Sequence, residues 1–203
     1  MTANGTATRG PGQSDRVRLR AWQPGDAPRL LDIRSRWDVA RWLDDPPEVM
    51  ASLVEAEVRI AEWRNRYLGT GGRRGAWLIE ERATGQPVGS VSLARLPGGS
   101  DDDVEIGWVL HPDAWGRGFA REAAALLLQY AFARGLPMVH AVTRVDNVAS
   151  HRVCAAIGLR DLGVVHDVWY PGPSRQFELT RAENDAAQAD RVRRAAAGRS
   201  EQV

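Results

Sequence analysis

Between an apolar run that ends at Leu110 and a long Ala/Leu run that stops at Gly135, the chain places Gly116-Arg117-Gly118. Two glycines at the mouth of a helix make a site for an anion. The first helical N–H groups have no intrahelical partner, and the helix dipole favours negative charge at that end. Glycine admits unusual dihedrals and lets a ligand come close to the backbone. The expected guest is a phosphate or pyrophosphate. A P-loop requires Gly-Lys-Ser/Thr, but Phe119 and Ala120 follow the second glycine, and all 27 basic residues are arginine. The lack of lysine also excludes Schiff-base chemistry on this chain. A dinucleotide fingerprint requires a third glycine and an acidic residue at the end of the next strand. Residues 116–121 read Gly-Arg-Gly-Phe-Ala-Arg, and no acid follows "MVHAVTRV" until Asp146.

Other residues flank this turn. Glu105 shares a strand face with Gly107 and Val109 by period-two alternation. A glycine inside a strand marks a bulge or a close backbone approach. Glu105 also suits a solvated or salt-bridged position beside Asp101, Asp102 and Asp103. Asn147 and Ser150 stand three apart at a predicted helix start and so share a face, and both residue types equally suit a first-turn cap. Cys154 is the single cysteine, so no intrachain disulfide forms. Without a His-Asp partner set it reads as a small buried helix residue. The histidines 111, 140, 151 and 166 have no metal-ligand spacing, and no metal is expected.

Residues 115–120, "WGRGFA", resemble the coenzyme A loop of the GCN5-related N-acetyltransferases (GNAT), Gln/Arg-x-x-Gly-x-Gly/Ala, at Gly118 and Ala120. Trp115 stands where Gln or Arg is usual. Over roughly residues 17–180 the chain resembles the ribosomal-protein-alanine acetyltransferase branch of that superfamily. "VDNVASHRVCAAIGLRDLG" is similar to its next helix through Asn147, Ser150, Gly158 and Leu159, and "HDVWYPGPSRQFELT" to its closing hairpin.

The resemblance implies acetyl transfer from acetyl-CoA to a primary amine. Val109, Leu110 and His111 would line the pantetheine arm, with the Val109 N–H as oxyanion donor. Trp115, Gly116, Arg117, Gly118, Phe119, Ala120 and Arg121 would wrap the pyrophosphate. Asn147 would contact pantetheine, and Arg152 would reach a phosphate. Glu105 would be the general base, directly or through water, and Ser150 a proton donor near the thioester sulfur. The family's usual tyrosine, four residues past that serine, is here Cys154. Trp37, Trp63 and Trp169 fall on elements that line the acceptor groove in this family. A coenzyme A-binding module without turnover is the alternative.

Local patterns supply the elements that must position these residues. "VRLRAW" alternates as a first strand. A helix is expected from Asp26, carrying Leu30, Leu31, Ile33, Trp37 and Leu43. Val49, Leu53, Ala56, Ile60, Trp63 and Tyr67 step by four and three along one helical face. "AWLIEE" and "PVGSVSLARL" read as a hairpin, followed by the strand "VEIGWVL". A helix over 119–134 ends at Gly135, with Pro137 beyond. A strand, a short helix after Asp146 or Asn147, and two strands complete the order. The expected fold is α/β, a mixed, splayed sheet of about seven strands flanked by helices. Residues 1–15 are expected to be a disordered tail, 16–180 the acetyltransferase domain, and 181–203 an Ala/Arg-rich tail with no face to bury.

Composition sets the outer limits. A net charge of +1 gives no field that points to nucleic acid or to an anionic membrane. No run approaches the roughly 20 apolar residues of a membrane span. The N-terminal residues lack the apolar segment of a secretory signal. The expectation is a cytoplasmic monomer or homodimer whose partners are acetyl-CoA and an amine, either a protein N-terminus or a small molecule.

Overall fold

A computed structural model of the chain describes residues 10–43, 45–66 and 70–200. Its eight strands are β1 (Gly12–Gln13), β2 (Val17–Ala21), β3 (Gly75–Glu81), β4 (Pro87–Arg95), β5 (Val104–Leu110), β6 (Met138–Thr143), β7 (Arg160–His166) and β8 (Pro173–Thr180). They form one sheet in the order β1-β2-β3-β4-β5-β6-β8-β7. The helices are α1 (Ala27–Arg34), α2 (Trp37–Ala40), α3 (Leu53–Arg66), α4 (Phe119–Ala133), α5 (Val148–Ala156) and α6 (Arg181–Ser200). The mixed, helix-flanked sheet is the expected one, with one strand more.

Every strand pairing is antiparallel except β5 with β6, which is parallel and reduced to a single residue pair, Glu105 with His140. Beyond that pair β5 runs on to Leu110 and β6 to Thr143 without bridging. The sheet therefore splits into two arms joined at one rung.

The main core covers one face. On α4, Phe119, Ala123, Ala124, Leu127, Leu128, Ala131 and Phe132 are buried, an i, i+4, i+5 stripe that forms one broad helical face. They pack with Val104, Ile106 and Leu110 of β5, Val139 and Ala141 of β6, and Phe177 and Leu179 of β8. The stop at Gly135 is a C-cap: its φ is +90°, and the Leu136 N–H reaches back to the Ala131 carbonyl at 3.2 Å. On the other face, Trp22, Ala27, Leu30, Ala56, Ile60 and Leu78 form a smaller core beneath α1 and α3.

Several expectations change. The first helix is two: Arg36 is extended between α1 and α2, which leaves Trp37 57% exposed. Leu30, Leu31, Ile33, Trp37 and Leu43 make no regular helical stripe, because no single helix carries them. Asp26 does not cap α1; its carboxylate takes the Gln23 N–H at 2.8 Å and pairs with Arg20. On α3 only the middle of the predicted stripe is buried. Val49 precedes the helix and Leu53 is exposed at its first turn, while Tyr67 lies outside the described residues. Of the expected N-terminal tail, residues 1–9 lie outside the described residues, but Gly12–Gln13 pairs with β2 and Ser14 bonds Glu122 of α4. Residues 181–200 form α6, anchored where Arg181 donates to the carbonyls of Phe132 and Leu136. The last predicted strand pair is cut short, because Asp167 at φ +53° ends β7 and places Trp169 and Tyr170 in the β7–β8 loop.

Candidate active site

Where the two arms part, two clefts open. The first, about 640 Å³, runs from the end of β5 over the Gly116–Gly118 turn to the start of α5. The second, about 320 Å³, lies over β4, β5 and the end of β6 and is flanked by Arg34, Trp42 and Trp63. Trp42, Leu43, Trp108, Val109, Asn147 and Ser150 line both, so the clefts meet at the splay.

In the first cleft the glycines do what their position requires. Gly116 has φ +71° and Gly118 φ +81°, a left-handed conformation that disfavours any side chain. Gly118 is the N-cap of α4. The N–H groups of the first turn therefore lack intrahelical partners. Gly116, Gly118, Phe119, Ala120 and Arg121 all border the cleft, as does Arg152 across it on α5. Neither Arg121 nor Arg152 makes a salt bridge among the described residues. Trp115 closes the loop by donating its indole N–H to the Leu110 carbonyl at 3.0 Å.

Two of the expected contacts turn away. The Arg117 side chain pairs with Glu81 and lies over the Phe119 ring, 4.6 Å from its centroid, so it does not line the cleft. His111 is only 2% exposed and is also absent from the cleft. Its Nδ1 accepts from the Asp113 N–H at 3.2 Å and caps the short turn Pro112–Ala114. Its Nε2 sits 3.3 Å from Asp32 Oδ2, close enough for an ion pair but off the line of a hydrogen bond. Burial lowers its pKa. Sequence reasoning also missed Arg16, whose guanidinium holds the Arg117 carbonyl at 3.0 Å and pairs with Glu122. It clamps the outside of the glycine turn.

The register of β5 decides which backbone groups are free. The His111 N–H donates to Val88 at one end of the β4–β5 ladder, and the Leu96 N–H to Asp103 at the other. The pairing between them has no shift, so Gly107 makes no bulge. By the alternation of an antiparallel ladder, Glu105, Gly107 and Val109 turn their N–H and C=O groups to β4. Ile106, Trp108 and Leu110 turn theirs toward β6 and the gap. The Val109 N–H is therefore committed to the sheet and is not the oxyanion donor. The N–H groups of Trp108 and Leu110 face the opening instead.

Glu105 stands at the rung where the arms join and lines the second cleft. Burial raises its pKa, and a hydrogen bond opposes that rise: the Tyr170 hydroxyl donates to Oε1 at 2.6 Å. Asn147 caps α5, its Oδ1 accepting the Ser150 N–H at 3.2 Å. It also lines both clefts, so capping and ligand contact are compatible. Cys154 is fully buried and its thiol is pushed up to about 12 by desolvation, which excludes a thiolate nucleophile. Of the three tryptophans expected at the acceptor groove, Trp63 lines the second cleft, Trp37 does not, and Trp169 lies 5.9 Å from the His140 ring. Trp42 and Trp108 complete that wall. Among the described residues no cluster of ligands could hold a metal ion, and no helix is long and apolar enough to cross a membrane.

A family model for the acetyltransferase (GNAT) domain matches residues 16–160. The chain belongs to the GNAT acetyltransferase family. This acetyltransferase is 31% identical over 159 residues to the uncharacterised N-acetyltransferase YoaA of Bacillus subtilis, covering 78% of the present chain and 87% of YoaA. It is 30% identical over 161 residues to an FsC-acetyl coenzyme A-N(2)-transacetylase of Aspergillus fumigatus, covering 70% and 68%. Its fold is that of a ribosomal-protein-serine acetyltransferase from Vibrio cholerae (21% identity, TM-score 0.70, 83% and 95% covered). It also matches RimL, a ribosomal L7/L12 α-N-protein acetyltransferase solved with coenzyme A (22%, 0.68, 84% and 97%).

Proposed function

We propose that this acetyltransferase transfers acetyl from acetyl-CoA to a primary amine by direct attack in a ternary complex. The carrying observation is the meeting of two clefts at the splay, one floored by a glycine turn and helix N-terminus, the other lined by a carboxylate. The pyrophosphate sits on the α4 N-terminus, with Arg121 and Arg152 as phosphate partners. Pantetheine lies along the exposed edge of β5, where it can pair with the backbone of Trp108 and Leu110 as an added strand would.

The amine must lose a proton to react, since a primary amine titrates near 10.4 and an α-amine near 7.7–8.0. Glu105 takes that proton. Its raised pKa brings it nearer neutrality, where a general base is most effective. The nitrogen lone pair attacks the thioester carbonyl, and the oxyanion is met by N–H groups at the gap. The C–S bond then breaks, and coenzyme A leaves as thiolate or takes a proton from Ser150 at the junction of the clefts.

The acceptor is a protein N-terminal amine or a small-molecule amine. RimL acts on a ribosomal protein, and the similarly folded AAC(6')-Ib is an aminoglycoside acetyltransferase; both classes thus occur among similar proteins. The test is thiol release from acetyl-CoA against a panel of peptides and small amines. Turnover with any acceptor supports transfer. Tight acetyl-CoA binding in calorimetry with no release for any acceptor would leave a binding module.

A further inference from the structure

Tyr170 was not expected to take part in the chemistry. It lies in the β7–β8 loop, 65 residues from Glu105 in sequence, yet its hydroxyl reaches Glu105 Oε1 at 2.6 Å. The phenol is partly buried and is not among the residues that line either cleft. The other oxygen, Oε2, has no hydrogen bond among the described residues and remains for a ligand in the second cleft.

We propose that Tyr170 is a positioning residue, which pins Oε1 of Glu105 so that Oε2 presents its lone pair to the incoming amine. This rests on the reading of Glu105 as the general base. A carboxylate on a two-carbon stem in a cleft has several rotamers, and one short hydrogen bond from a loop removes that freedom. The same bond stabilises the ionised form over the neutral one. It thereby opposes the rise in pKa that burial causes.

The surroundings leave this donor a distinct part. On β6, His140 is the register neighbour of Glu105, and burial holds it neutral by lowering its pKa. On β4 the neighbour is Ala94, which carries no charge. Arg34 from α1 and Arg144 beyond β6 border the same cleft, and Arg144 pairs with Asp45. The Tyr170 bond is the hydrogen bond that Glu105 makes among the described residues.

A carbon-13 carboxyl titration of the whole chain tests this without a known acceptor. The Glu105 signal is identified by its loss in Glu105→Gln. In Tyr170→Phe the Glu105 midpoint should rise by about one to two pH units, with the thermal midpoint little changed. Replacing the tyrosines by 3-fluorotyrosine, a stronger donor, should move it the other way. A midpoint that ignores both changes overturns the role of Tyr170 while leaving Glu105 free to be the base. Thiol release is then compared across pH with the best amine of the acceptor panel. The acid limb should move up in Tyr170→Phe in step with the titration. Full release by Glu105→Gln would overturn the base reading, and the positioning role of Tyr170 with it, even if the midpoint had moved.

Discussion

The first cleft takes its floor from one short stretch of chain, Ala114 to Gly116 and Gly118 to Arg121, whereas the second collects Arg34, Trp63, Ser92, Glu105 and Thr143 from α1, α3, β4, β5 and β6. The first works chiefly with backbone groups, set by two left-handed glycines and a helix start. The second works with side chains that only the tertiary fold brings together. A cofactor that is the same for a whole family can be held by a short local motif. An acceptor that differs between members has to be recognised by residues that vary independently. The division predicts that substitutions on one side leave the other side's function intact.

The largest expected effect is on the second cleft alone. Glu105→Gln should lower kcat by roughly 10²–10⁴-fold, while calorimetry should show acetyl-CoA affinity within about twofold of the parent protein. Loss of acetyl-CoA binding in that variant would break the separation. Next is Gly118→Val, which forces a β-branched side chain to φ +81° and puts a Cβ 3.3 Å from the Arg16 guanidinium. Acetyl-CoA affinity should fall on the order of 100-fold, with far-UV circular dichroism unchanged.

Arg152→Ala should weaken acetyl-CoA by about three- to tenfold, in line with one charge-assisted phosphate contact near the surface. Its loss should shrink in high salt. Ser150→Ala sharpens the comparison, because Ser150 lines both clefts. If Ser150 protonates the leaving sulfur, kcat should fall up to about tenfold, and less for a thioester whose thiol is more acidic.

The smallest effect is on stability. Burial lowers the pKa of His140, which Glu178 and Asp103 partly oppose. As pH falls below the ordinary histidine value of 6.5, the unfolded chain gains a proton that the folded chain refuses, and stability drops. His140→Gln should flatten that loss in melting temperature between pH 7 and 5. Glu105 works the other way in the same scan: its raised pKa lets the folded chain bind a proton first, so its contribution grows as pH falls. The difference between variant and parent isolates the histidine.

What could be read from the chain follows the same division. The glycine turn, α4 and the Asn147 cap are contiguous in sequence, and local physics defines each. Tyr170 could not be assigned, since its partner is 65 positions away and its strand-like setting gave no sign of the turn at Asp167. Arg16 holds a carbonyl 101 residues distant. His111 followed the motif in sequence but not in space: its ring is buried beside Asp32 of α1 rather than in the cleft. The Val109 N–H was expected at the open edge of β5, and it is turned to β4 instead. Alternation fixes which residues share a face, but which edge their N–H groups serve depends on the register with β4.

The single rung between β5 and β6 also sets a lever arm. Glu105 is at the pivot, and Leu110 lies five residues farther along β5, about 17 Å at the usual rise per residue. A change of about 10° between the arms would carry the rim near Leu110 by about 3 Å and leave the carboxylate almost where it was. Under the proposed function, such a change would alter the width of the cofactor entrance and keep the aim of Glu105.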